Sequence, residues 1–131
     1  MKFPAWQLQV ALVSRIRSAA PEYPVHDEHP EPAIYPYITV GEVIARPWSD
    51  KLKSGQTALA SFHFWSQYAG KQEVAEMMNK VLEALTTGDY PDLAPTFHVV
   101  LRVLDSMNII SDMDEATYHG ILTMKYLIEE L

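Results

Sequence analysis

Five prolines lie between residues 21 and 36, at positions 21, 24, 30, 32 and 36. Proline holds φ near one value and has no backbone N–H to donate. That stretch therefore cannot continue a helix or serve as an interior strand. It predicts an extended, irregular crossing over the surface that separates one N-terminal element from everything that follows.

The element before it reads as a helix over 4–20. Pro4 suits a first helical position, where its missing N–H has no intrahelical partner to lose. Trp6, Val10, Val13 and Arg17 form one stripe, and Leu8, Ala11, Leu12 and Ile16 recur at helical spacing on a broader apolar face. Pro21 and Pro24 stop the helix.

Beyond the prolines the period changes to two. Residues 37–44 (YITVGEVI) are β-branched and aromatic and predict a strand, with Ile38, Val40 and Ile44 on one side and Glu42 interrupting. Arg46-Pro47 is expected to end it. Trp48 to Gln56, mostly polar and charged, is then a hairpin loop longer than a tight turn. Thr57 to Gln67 is a second strand, with Phe62 and Phe64 facing one way and Leu59, Ser61, His63 and Trp65 the other. Lys71 to Leu85 is the most regular helix, with Val74, Met77, Met78, Val81, Leu82 and Leu85 at i, i+3, i+4, i+7 spacing and Gly88 as a stop. Phe97 to Ser106 is a third strand interrupted by Arg102, and Met107 to Ile110 continue it past a bulge. Tyr118 to Glu130 is a fourth, with Leu122, Met124, Tyr126 and Ile128 toward the core. The expectation is an α+β fold in the order α-β-β-α-β-β: a four-stranded antiparallel sheet with two helices packed on one face. At 131 residues, 48% hydrophobic, the chain is expected to be a single domain over 1–131.

Several function classes are disfavoured directly. Without cysteine there is no disulfide, thiolate nucleophile or zinc–thiolate site. A formal charge of −7 with scattered Lys and Arg argues against tight binding to a phosphate backbone. No apolar stretch approaches the roughly 20 residues that span a bilayer. The apolar run from Leu8 to Val13 is too short for a signal peptide and is followed by Arg15 and Arg17, so the chain is expected to be used in the cytoplasm of the cell that makes it.

Candidate chemistry is thin. His26-Asp27-Glu28-His29 offers imidazoles and carboxylates, but among prolines it has no rigid frame to preform a metal site. A solvated acidic loop is the simpler reading. His63, His98 and His119 lie on predicted strands, and Ser61 or Ser66 could pair with one of them as nucleophile and base. No nucleophile elbow, glycine-rich phosphate loop or paired-acid spacing accompanies them. Met77 and Met78 read as core filler, and Glu73, Glu76 and Glu83 as a solvated helix face. No cofactor is expected.

The order of the motifs is more informative than any one of them. PYITVGE at 36–42 followed by Trp48 and a polar loop, FWS at 64–66 before Gly70 and an amphipathic helix, and YHGIL at 118–122 opening the last strand together resemble the tail-completion family of long-tailed phages. These are head-to-tail joining proteins of the siphophage type, related to tail terminators. The resemblance implies a non-enzymatic subunit of a hexameric ring, joining the tail tube to the head connector with DNA passing through and no membrane involved. It would be assembled in the host bacterial cytoplasm and reside at the head–tail joint of the virion. On that reading the uncovered sheet face, its exposed edge and its large rings are adhesive. Trp48, Lys51 and Lys53 of the loop, with Trp65, are the expected contacts to a neighbouring subunit or the tail tube. Two other readings stay open: a ligand-binding or enzymatic α+β domain with a pocket between sheet and helices, lined by histidines such as His63, His98 or His119, and a prophage-derived adaptor.

Overall fold

The computed structural model describes residues 1–49 and 54–131. Its elements run α1 (Ala5–Ala19), β1 (Val25–His26), β2 (Tyr37–Ser49), β3 (Ser54–Ser66), α2 (Gln72–Thr86), β4 (Phe97–Ser111) and β5 (Tyr118–Glu130). The strands form one mixed sheet of five in the order β1-β2-β3-β5-β4. β1 runs parallel to β2, through Val25 opposite Ile38 and His26 opposite Thr39, and the remaining neighbours are antiparallel.

The fold is thus α+β with two helices, but the expected four-stranded antiparallel sheet is corrected to a five-stranded mixed one. The added strand lies inside the proline-rich stretch. It is held by backbone pairing, with Ile38 N–H donating to Pro24 O at 2.8 Å, and two residues are too short to show an alternating side-chain pattern. The predicted loop after Arg46 is likewise mostly strand. Pro47 stands opposite Gln56 and Trp48 opposite Gly55. Proline is tolerated there because β2 has no neighbour along its outer edge beyond Thr39 among the described residues.

A bulge between Val40 and Val43 changes which side β2 presents. Ile38 and Val40 stand beside Phe64 and Phe62. Past the bulge Val43 stands beside Ala60, so Ile44 falls next to Leu59 on the opposite face and is exposed. The expected alignment of Ile38, Val40 and Ile44 on one side is corrected by that extra residue.

Both helices touch each other and cover the same face, α1 over β2 and β1, α2 over β3, β5 and β4. Leu8, Leu12 and Ile16 of α1 and Val74, Met77, Met78, Val81 and Leu85 of α2 are buried against Ile38, Phe62, Phe64, Leu122, Met124, Tyr126 and Ile128. The core side of β5 is the one its alternation predicted. Leu82 packs only partly buried at the margin, and Trp6, on the other stripe of α1, is 66% exposed.

Two local devices hold α2 down. Arg102, which breaks the apolar run of β4, turns its guanidinium onto the end of α2 and donates to the carbonyls of Thr86 (2.9 Å), Gly88 (3.1 Å) and Asp89 (3.1 Å). It thereby satisfies acceptors that a helix end leaves without intrahelical partners. Gly120 of β5 lies directly beneath Met78, and a Cβ there would also come within 3.1 Å of Val74 Cγ2. Gly120→Val is expected to push α2 off the sheet and cost about 1–3 kcal/mol, read as a lower urea midpoint with unchanged m.

Candidate functional site

The face of the sheet away from the helices carries what the core does not use. The strand pairing lays out its rows: Tyr37, Trp65, His119 and Ile110; then Thr39, His63, Ile121 and Asn108; then Ser61, Thr123 and Ser106; then Ile44, Leu59, Lys125 and Val103. Its two ends differ in character.

At one end the proline-rich link folds back over the sheet. The rings of His26 and His29 each meet Tyr37 edge-on at 6.1 Å, and Tyr35 lies 5.2 Å from it. His29 Nδ1 is 3.0 Å from the Tyr37 hydroxyl, and burial pushes that hydroxyl's pKa up to about 12. Trp65 is half-buried, with His119 stacked flat on it at 3.9 Å and 10°, and His29 tilted against it at 4.8 Å. Its indole N–H donates to Thr39 Oγ1 at 3.0 Å. His63 Nδ1 and His119 Nε2 are 2.6 Å apart. Burial lowers the pKa of both rings. Glu42 opposes this at His63 while His29 adds to it, and at His119 His63 and His29 add while Asp112 opposes. Gly41 makes room for this group, since a Cβ on it would lie 2.7 Å from Ser61 O and 2.8 Å from the His63 ring.

The rest of the face is bare and mixed. Ile44, Leu59, Arg46, Thr57, Lys125 and Asp105 line a shallow depression of about 140 Å³. Trp48 lies across Gly55, which has no side chain to displace it, and its Nε1 is buried with no hydrogen-bond partner among the described residues. The margin formed by β4 has no neighbouring strand among the described residues, and it exposes Val100, Leu101, Val103, Met107 and Ile110. The opposite margin has its own apolar feature. A groove of about 400 Å³ runs between α1 and β1–β2, lined by Trp6, Val10, Val13, Arg17, Val25 and Val40 among others.

Of the four expected contact residues, Trp48 and Trp65 sit on this open face at opposite ends. Lys51 and Lys53 lie outside the described residues. His63 and His119 are brought together, whereas His98 stands at the far end of β4 opposite Glu129. Neither ring of the pair faces the helices, the interior between helices and sheet is filled by the buried side chains named above, and the groove at the α1 margin is lined by none of His63, His98 and His119, so the pocket expected from those histidines is not what this fold builds. Of the possible metal ligands at 26–29, Asp27 accepts from Gln9 Nε2 at 2.6 Å and His29 turns to Tyr37 and Trp65. No group of three or more metal-binding side chains forms among the described residues. The sequence pointed to an exposed sheet edge as contact material but did not single out β4 as that edge. Its signal was a near-continuous apolar run, which reads equally well as a strand buried on both faces.

Comparison with known proteins places this geometry. The family described as Tail completion protein gp17 matches residues 8–129. The tail completion protein gp17 of Bacillus phage SPP1 is 31% identical over 94 residues, which is 72% of this chain and 68% of that protein. A solved structure of bacteriophage SPP1 gp17 superposes with a TM-score of 0.61 at 27% identity, over 95% of this chain and 91% of that one. A chain from the virion of a native gene transfer agent particle shares the fold, with a TM-score of 0.83 at 16% identity over 98% of this chain and 99% of that one.

Proposed function

Since the chain belongs to the family of tail completion protein gp17, and so to phage structural proteins rather than to enzymes, we propose that it joins the tail tube to the head connector as one subunit of a ring. The observation that carries this reading is the pair of apolar margins at opposite ends of one sheet. One is the bare length of β4; the other is the groove beside α1 and β1. A cyclic ring is built from heterologous contacts, in which one patch meets a different patch on the next copy and the rotation closes. Two unlike adhesive margins on opposite sides of a subunit supply that arrangement. Long, apolar edge strands are otherwise an aggregation liability, and β4 is blunted only by Asp105 and by two bulges, at Val99/Leu101 and Leu104/Ser106, with neither Lys nor Pro along it.

The partners on this reading are further copies of the chain, the tail-tube protein and the head-connector protein, and six copies complete the ring. Duplex DNA passes through without specific binding, because a subunit of formal charge −7 repels phosphate. The site of action is the head–tail joint of the virion, after assembly in the host cytoplasm. The chain works as a single domain throughout.

The test is electron microscopy of the purified chain mixed with isolated tail tubes. Rings capping the tube ends support the reading, and bare tube ends at saturating protein refute it. Within that assay Lys51 and Lys53, in the connection between β2 and β3, are the predicted tube contact. Replacing Lys51 and Lys53 together by glutamate is expected to leave thermal stability nearly unchanged, within about 0.5 kcal/mol. Capping should weaken about tenfold or more, because the reversed charges repel a partner that the lysines attract. Unaltered capping by the double variant would move the contact elsewhere.

A further inference from the structure

We propose that His63 and His119 form a proton-operated latch that holds Trp65 against the sheet, independently of how the subunits assemble. The pair is held by position. His63 on β3 and Trp65 two residues along it point to the same face, and His119 on β5 stands directly opposite Trp65. His119 therefore lies both on the indole, at 3.9 Å, and against His63, with 2.6 Å between their facing nitrogens.

A contact of that length between two ring nitrogens needs one N–H and one lone pair. With both rings neutral it forms, and with one proton added it becomes charge-assisted and persists. With both rings protonated, two N–H groups of like charge point at each other and the pair must open. The two sites therefore titrate as a unit, with the second proton bound much more weakly than the first.

The surroundings act in the same direction. Around His63 stand Glu42 from β2 and His29 from the link; around His119 stand His63, His29 and Asp112 at the end of β4. Tyr37, whose hydroxyl stays neutral, closes the cluster from β2. The two carboxylates favour protonation, but burial and the neighbouring imidazoles outweigh them at both rings. The sign for stability follows. Both folded-state pKa values lie below that of the unfolded chain, near 6.5, so below that pH the unfolded chain binds more protons than the folded one. Stability attributable to the pair is complete above about pH 7. It falls as the pH drops through the unfolded value and levels off once the folded pair is itself protonated.

When the pair opens, His119 can no longer lie flat between His63 and the indole. Trp65 then loses its closest stacking partner and keeps its bond to Thr39, the edge contact with His29 and the more distant stack on Tyr37 at 6.3 Å. The open face changes from a neutral aromatic platform to a cationic one.

Nitrogen-15 NMR of the histidine side chains and of the Trp65 indole, from pH 8 to 4.5 on the full chain, tests this. His63 and His119 are expected to shift together in two steps more than about one pH unit apart, with the Trp65 indole signal moving at the second. In the His63→Phe variant, His119 is expected to titrate in one step, and the later Trp65 change should vanish. The latch is overturned if His63 and His119 each titrate once, independently, near the ordinary value of about 6.5. It is equally overturned if the Trp65 signal stays still through the second step. Because the wild-type titration alone decides between these outcomes, a poorly folded variant would not obscure the answer.

Discussion

Phe64→Ala is expected to cost the fold about 3–5 kcal/mol. Phe64 is fully buried in β3, with two strands on either side of it. Its cross-strand neighbours are Ile38 on β2 and Gly120 on β5. The glycine is occupied from above by Met78, so one side of the ring is walled by a helix already seated as low as it can go. The void left by a lost benzyl group cannot be closed by settling of α2, and the cavity cost adds in full to the lost burial. Domains of this size have about 5–15 kcal/mol in total, so the variant should be substantially unfolded in modest urea. Equilibrium unfolding followed by circular dichroism measures it. A loss under about 1.5 kcal/mol would mean that the sheet and α2 repack around the site.

A second large effect concerns assembly and leaves the fold alone. Leu101→Glu combined with Val103→Glu places two carboxylates on the exposed margin of β4, where both native side chains face solvent in the isolated subunit. Stability is expected to change by no more than about 1 kcal/mol. If the next copy covers that margin, both charges must be buried on contact, and only the one at 103 has a cation, Lys125, across from it, so the cost is still several kcal/mol. Capping of tail tubes, and the yield of infectious particles, should then fall by about a hundredfold or more. Native capping by a well-folded double variant would show that β4 is not the joint.

What the sequence revealed depended on how each element is stabilised. β5 and α2 were legible almost to the residue because each buries one face, and burial writes a period into the side chains. Tyr126 and Ile128 alternate as expected, and Val74, Met77, Val81 and Leu85 recur as expected. β1 left no such mark, since its two residues are recruited by main-chain groups of β2. The bulge at 41–42 is equally silent in composition, yet it reverses the parity of everything beyond it and sends Ile44 outward. The hairpin appeared shorter in sequence because Pro47 reads as a stop, and only the bare outer edge of β2 makes proline acceptable there. Trp48 and Trp65 could be nominated as surface rings. That His63 and His119 meet could not be read, because 56 residues separate them in the chain and only the offset between β3 and β5 sets them side by side.

The briefest strand has a consequence out of proportion to its length. By occupying the first rungs of β2's outer side, at Ile38 and Thr39, β1 closes that side to any incoming chain until Gly41. A visiting strand laid along β2 therefore cannot slide toward the start of the strand, nor choose among several equivalent alignments. The subunit carries its own doorstop, and a two-residue piece of backbone converts a slippery rail into a berth with one fixed end.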